Sequence, residues 1–238
     1  RLKSGASTYR GTTIVRNGRL LVTASVPKSG NGVLGACTND VVVGDLGTGA
    51  NDLPTFAFEG PANGAFTFAR GLAACATGGA VSVIGCISNA NCTFSGPITV
   101  SNTLQVLSVT SGTNAIFMTG GIAGPGGVMK AGTGTVVLAA ANAYTGATTV
   151  AAGTLRLGAS ERIDSASPLR LLGGVLDLAG KAETMGALDV DGDAVIDFGS
   201  GGSLALADSA TQTWTGTLVL RNWKRGEDHL FVGTGACL

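Results

Sequence analysis

The chain has 238 residues, a formal net charge of zero and a mean hydropathy of +0.37, with 39 glycines, 13% charged and 5% aromatic residues. The glycines follow no three-residue period, which excludes collagen, and an apolar composition rich in Val, Leu, Ile and Thr is not that of a disordered chain. Every apolar run breaks well before eighteen residues, so no transmembrane helix is expected, and the neutral balance argues against nucleic acid as a partner.

The chain opens on a basic stretch: Arg1, Lys3, Arg10, Arg16, Arg19 and Lys28 precede the first acid, Asp40. No secretion leader is visible there, so the sequence is expected to be processed or part of something longer. Residues 8–22, "TYRGTTIVRNGRLLV", align without a gap on residues 143–157, "AYTGATTVAAGTLRL". Tyr9/Tyr144, Gly11/Gly146, Thr13/Thr148, Val15/Val150, Gly18/Gly153 and Leu20/Leu155 are identical. A phrase repeated in this way predicts a structural unit used more than once.

Residues 27–95 are loop-rich, although "GAFTFAR" and "GAVSVIG" still alternate as strands. Four of the five cysteines, Cys37, Cys75, Cys86 and Cys92, fall here, and the fifth is Cys237. With no C-x-x-C pair and one histidine, a zinc site is not expected. Scattered cysteines in a glycine-rich strand protein point to disulfides in an oxidising compartment. Cys86–Cys92, closing the short loop "ISNAN", and Cys37–Cys75, pinning an excursion, are the predicted pairs, which leaves Cys237 over.

From residue 96 the chain reads as short apolar runs separated by glycine, asparagine or aspartate: "PITV", "LQVLSVT", "AIFM", "GTVVL", "GTLRL", "GVLDL", "AVIDF", "SLAL", "TLVL". In "GTLRLG" and "GVLDLA" the leucines point one way while Arg156 and Asp177 point the other. Strands this short suit a parallel β-helix better than a sandwich, and no 40–50-residue propeller period appears. Glycine and asparagine would make the corners, Val, Leu and Ile would fill the inside, and Tyr and Thr would sit at fixed places on the wall. The whole of 1–238 is expected to form one solenoid domain.

Residues 124–159, "GPGGVMKAGTGTVVLAAANAYTGATTVAAGTLRLGA", form the clearest repeat. Through Gly126, Gly127, Lys130, Gly132, Gly134, Leu138, Asn142, Tyr144, Gly146, Thr148, Val150, Gly153 and Leu155 they closely resemble the autotransporter-associated β-strand repeat. Residues 1–22 look like the second half of another copy, and residues 195–233 resemble the segment that often follows the last such repeat. The resemblance implies a right-handed parallel β-helix in a secreted, surface-displayed bacterial protein. Nothing resembles the outer-membrane barrel of a complete autotransporter, and several cysteines are uncommon in such passengers.

Chemistry-bearing residues are few. Asp189, Asp191 and Asp193 share one face if extended, and so are candidates to bind calcium or to act as a glycosidase pair, although the EF-hand frame is not matched. The alternative is a turn at Asp191-Gly192 with solvated acids around it. His229 stands without a nucleophile partner. Trp214 and Trp223 either cap an exposed coil or form a sugar platform. Asn91-Cys92-Thr93 is a formal glycosylation sequon. The expectation is therefore an extracellular, non-enzymatic rod or filament subunit without a cofactor, stacking on copies of itself head to tail. Basic residues near the start would face the acidic 161–208 region, with Arg1, Lys3, Tyr9, Trp214, Trp223 and Cys237 at the joint. The alternative is a surface adhesin or glycan-active passenger.

Overall fold

Three to five alternating residues ended by glycine or asparagine make strands that cannot bury a face alone and must lie on a neighbour. The computed structural model describes residues 1–3 and 7–233, and among them it contains strands and corners but no helix. The strands pile in parallel ladders into a solenoid of about nine turns. A six-stranded wall runs from Ile14–Val15 to Ala143–Tyr144. An eight-stranded second wall runs from Arg19–Val22 to Leu188–Val190, and an eight-stranded third wall from Ala65–Phe68 to Leu218–Arg221. In the last coils a three-stranded sheet, Ala182–Met185, Ser203–Leu206 and His229–Val232, takes the first wall's place in chain order.

Period-two alternation converts this stacking into columns. Inside the second wall Leu20, Phe56, Ile84, Val106, Lys130, Val150, Leu171 and Val190 lie in register. Inside the third wall the column is Phe66, Cys92, Ile116, Val136, Leu155, Leu176, Ile196 and Leu220. Nearly all are buried, and each Val, Leu or Ile so removed from water contributes about 1.5–3 kcal/mol. One contiguous core runs from Val22 to Leu230.

Corners are made by close backbone approach. A Cβ on Gly146 would run into the backbone of Gly126, and one on Gly126 into the backbone of Asn102, so coils sit here on bare main chain. At another corner asparagines stack: Asn114 Nδ2 donates to Asn63 Oδ1 at 2.9 Å and to Asn89 Oδ1 at 3.0 Å.

The loop-rich section is wrapped around a phenylalanine cluster. Phe56, Phe58, Phe66, Phe68 and Phe94 meet with centroids 5.1–5.9 Å apart. Cys86–Cys92 is a disulfide. Cys37–Cys75 is not: both are free thiols. Cys37 precedes the start of Val41–Val43 and donates to the Gly11 carbonyl at 3.3 Å, whereas Cys75 follows the end of the adjacent, parallel strand Leu72–Ala74. The excursion is pinned instead by Arg70, only 1% exposed, whose guanidinium donates to Pro27 O (3.2 Å), Leu34 O (2.7 Å), Gly35 O (2.6 Å) and Cys37 Sγ (3.2 Å). Cys237 lies outside the described residues.

The repeated phrase keeps a local contact but changes its place. Tyr9 Oη bonds Thr13 Oγ1 at 2.7 Å and Tyr144 Oη bonds Thr148 Oγ1 at 2.8 Å. Gly18 and Gly153 both turn with positive φ, 71° and 66°. Yet Leu20 stacks in the column of Val150, not of its sequence counterpart Leu155, so the two copies sit one wall apart. Tyr and Thr therefore do not sit at one fixed place on the wall: Tyr144 and Thr148 are fully buried, while Tyr9 is 41% exposed.

Candidate functional site

The repeat's own polar residues turn inward. Lys130 is 1% exposed, and its ammonium donates to Ala131 O (2.8 Å), Gly132 O (2.7 Å) and Ala152 O (2.9 Å). Burial pulls its pKa down to about 8, which leaves it mostly charged at neutral pH with three donors for three acceptors. A Cβ on Gly153 would crowd Lys130 Nζ, so that glycine is part of the fit. Asn142 accepts from Ile122 N at 2.9 Å and donates to Arg162 O at 2.7 Å, joining three coils. Tyr144 leads through Thr148 to Ser167 at 2.9 Å and on to Gly146 O at 2.7 Å, and burial raises its hydroxyl's pKa. One coil further on, Glu183 receives Arg162 N and Ile163 N, both at 2.8 Å, and burial raises its carboxyl to about 7.

The outward acids are paired across coils. Arg170 binds Asp189 at 3.5 Å and Asp191 at 2.5 Å, and Asp193 accepts from Thr217 N at 3.0 Å. The three acids therefore do not converge on one point, and among the described residues no group of three or more acids, histidines or cysteines could hold a metal. The outward column Arg156, Asp177, Asp197, Arg221 places an arginine on each side of two carboxylates, at 2.7 Å and 2.8 Å. Burial opposes ionisation of Asp197, but bonds from Asn222, Gly199 N and Arg221 outweigh it and hold its pKa low.

The aromatic and end residues divide. Trp214 Nε1 donates to Leu188 O at 3.1 Å and Trp223 meets Phe198 edge-on at 4.9 Å, so both close the last coils. His229 stacks on Phe231 at 5.9 Å. Arg1 pairs with Glu59, and Lys3 is exposed. Asn91 Oδ1 accepts from Ala115 N at 3.0 Å, and Cys92 of the same sequon is in the disulfide.

The feature that sequence reasoning missed is the corner loop 45–54 between the first and second walls. Arg16 Nε bonds Asp45 Oδ2 at 2.7 Å and, as the leading cause, holds that carboxyl below its usual range. Asp45 N donates to Thr48 Oγ1 at 2.8 Å, and Asn17 Nδ2 donates to Asp52 Oδ1. This pinned loop exposes Leu46 at 92% and Leu53 at 60%, the two most exposed large apolar side chains among the described residues. Beside Leu53 lies a trough of about 370 Å³ floored by Leu21, Val83, Ile87 and Leu107, with Arg19 and Gln105 on its rim. Beside Leu46 a second hollow of about 530 Å³ is lined by Val42, Cys75 and Ala76. The aspartates, glycines and leucines of "GDLGTGANDLP" read only as a loop, because nothing local says which leucines stay outside.

The passenger-associated-transport-repeat pattern matches residues 1–22 and 129–157, the two stretches that hold the Tyr–Thr pairs and the buried lysine. At those two stretches the chain carries passenger-associated-transport repeats. Around 34% of it, 84 residues, is 39% identical to a protein of Brucella suis biovar 1 (strain 1330), the adhesin BmaC autotransporter. The chain spans only about 2% of that relative's length. No solved structure matches. Within the passenger repeat, Lys130, Asn142 and Tyr144 are thus framework residues that join coil to coil. Among the described residues no helix is long and apolar enough to cross a membrane.

Proposed function

We propose that this chain is a non-catalytic length of extracellular β-solenoid displayed on a bacterial surface, a rigid shaft that carries an adhesive side wall. The observation behind the reading is where the polar groups go. The buried lysine and asparagine of the repeat bond backbone and its tyrosine bonds the buried Thr148, and the outward aspartates are each held by an arginine or a backbone amide. That arrangement supports a scaffold and provides no general acid–base pair. The partly matching relative bears the name of an adhesin, which favours contact with a surface, surface glycans included, over chemistry. Beads coated with the purified chain should adhere to host cells or to a glycan array above beads coated with an unrelated protein. Equal binding would remove the adhesive role and leave a spacer.

Head-to-tail joining is the second reading, favoured by one residue. Leu220 lies in the core column over Ile196 yet remains 39% exposed, and Val219 beside it is 50% exposed. A parallel strand from another copy would cover both. Arg156, Arg170 and Arg221 already hold four of the nine carboxylates in 161–208, Asp177, Asp189, Asp191 and Asp197, so those four add little to the guidance of such a joint. Sedimentation should show length-wise oligomers that Val219→Lys abolishes. A monomer across the whole concentration range would end this reading.

A further inference from the structure

We infer that the corner loop 45–54 and its neighbouring trough form a self-complementary surface on which two copies of this chain pair side by side. Three observations carry it. The loop is preorganised: Asp45 is held by Arg16, Gly47 N (2.9 Å) and Thr48, and Asp52 by Asn17 and Gly49 N (2.6 Å), so little conformational freedom remains to be lost on binding. It presents Leu46 and Leu53 outward on a rigid wall, the arrangement of an interface anchor. The trough beside it is a receptor of matching chemistry, with Leu21, Val83, Ile87 and Leu107 as an apolar floor.

Charge selects the occupant. Among the described residues Arg19 on the trough's rim makes no ion pair, and neither does Asp52 at the base of the loop. Related by a two-fold axis, the Leu46 edge of one copy enters the trough of the other. Arg19 then faces the second copy's Asp52, and the exchange repeats in reverse. Each copy supplies one protrusion and one recess, so the contact closes as a dimer and does not propagate. This pairing uses the side wall and is independent of the end strands, so it stands or falls apart from the head-to-tail reading.

The test is sedimentation velocity of the intact chain over a micromolar concentration series, with Leu46→Asp and Arg19→Asp alongside. Leu46 is almost wholly exposed, so its replacement takes nothing from the core, and circular dichroism checks that the fold is kept. The expected result is a monomer–dimer equilibrium whose dissociation constant rises at least about tenfold in Leu46→Asp. Arg19→Asp should weaken it too, whereas Arg19→Lys, which keeps the charge, should not. A wild-type chain that stays monomeric overturns the inference. So does a dimer that ignores Leu46→Asp, or Leu46-dependent binding to anionic phosphatidylglycerol vesicles by a monomer, which would assign the loop to lipid.

Discussion

Buried charge decides most at the scale of single residues. Glu183 is 2% exposed, and burial lifts its carboxyl from 4.5 to about 7 against two backbone N–H bonds that pull the other way. Between those values the folded chain binds more protons than the unfolded one, so stability must fall as pH rises from about 4.5 to about 7. The change is on the order of 2 kcal/mol. Urea unfolding at pH 5 and pH 7.5 should show it, and Glu183→Gln should flatten the slope. An unchanged slope in the variant would assign the effect elsewhere. Lys130 is the second case. Replacing it with Met keeps the volume but takes the Nζ donor from the carbonyls of Ala131, Gly132 and Ala152, at a cost of about 2–4 kcal/mol in denaturant unfolding. Neither role was legible from composition, since a lysine in a glycine-rich run reads as solvated. The inward position became visible only when Lys130 proved to share a column with Val106 and Val150.

For strands and corners, the sequence carried much of the fold. Alternation in "GTLRLG" and "GVLDLA" already placed Arg156 and Asp177 on one outer face, and their pairing at 2.7 Å follows once those strands lie in register. The short loop between Cys86 and Cys92 likewise announced its bridge. Cys37 and Cys75 misled because separation along the chain does not tell which end of a three-residue strand each thiol occupies. The repeated phrase misled more subtly. Its Tyr–Thr contact and glycine turn are local and survive in both copies, whereas the wall they occupy depends on what lies beneath. The acidic turn offers a test at this scale. Arg170 holds Asp189 and Asp191 across one coil, so wild-type melting should be indifferent to calcium or chelator. Arg170→Ala leaves two facing carboxylates, and a loss of about 1 kcal/mol, partly restored by millimolar calcium, is expected by calorimetry. A calcium response in the wild type would reopen the acids as a metal site.

Over the whole molecule, the solenoid is close to one-dimensional: its strand ladders join only adjacent coils, so stability is shared unequally along the axis. Thr135–Leu138 pairs with a strand on each side, Ala115–Met118 and Thr154–Leu157, and its Leu138 and Val136 are buried. Leu218–Arg221 pairs on one side only, with Ala194–Asp197, and leaves Val219 and Leu220 exposed. At the other end the phenylalanine cluster, Arg70 and the disulfide reinforce coils whose loops are long. Hydrogen exchange should therefore be slowest in residues 128–157 and fastest in 218–232, with 55–94 nearly as protected as the centre. Reducing the disulfide should speed exchange in 82–94 and in the coil above it, Leu104–Met118, while leaving 169–206 unchanged, because no contact carries the loss that far. Uniform protection that collapses as one unit would show a chain folding all-or-none, and coil-by-coil stacking would no longer describe its energetics.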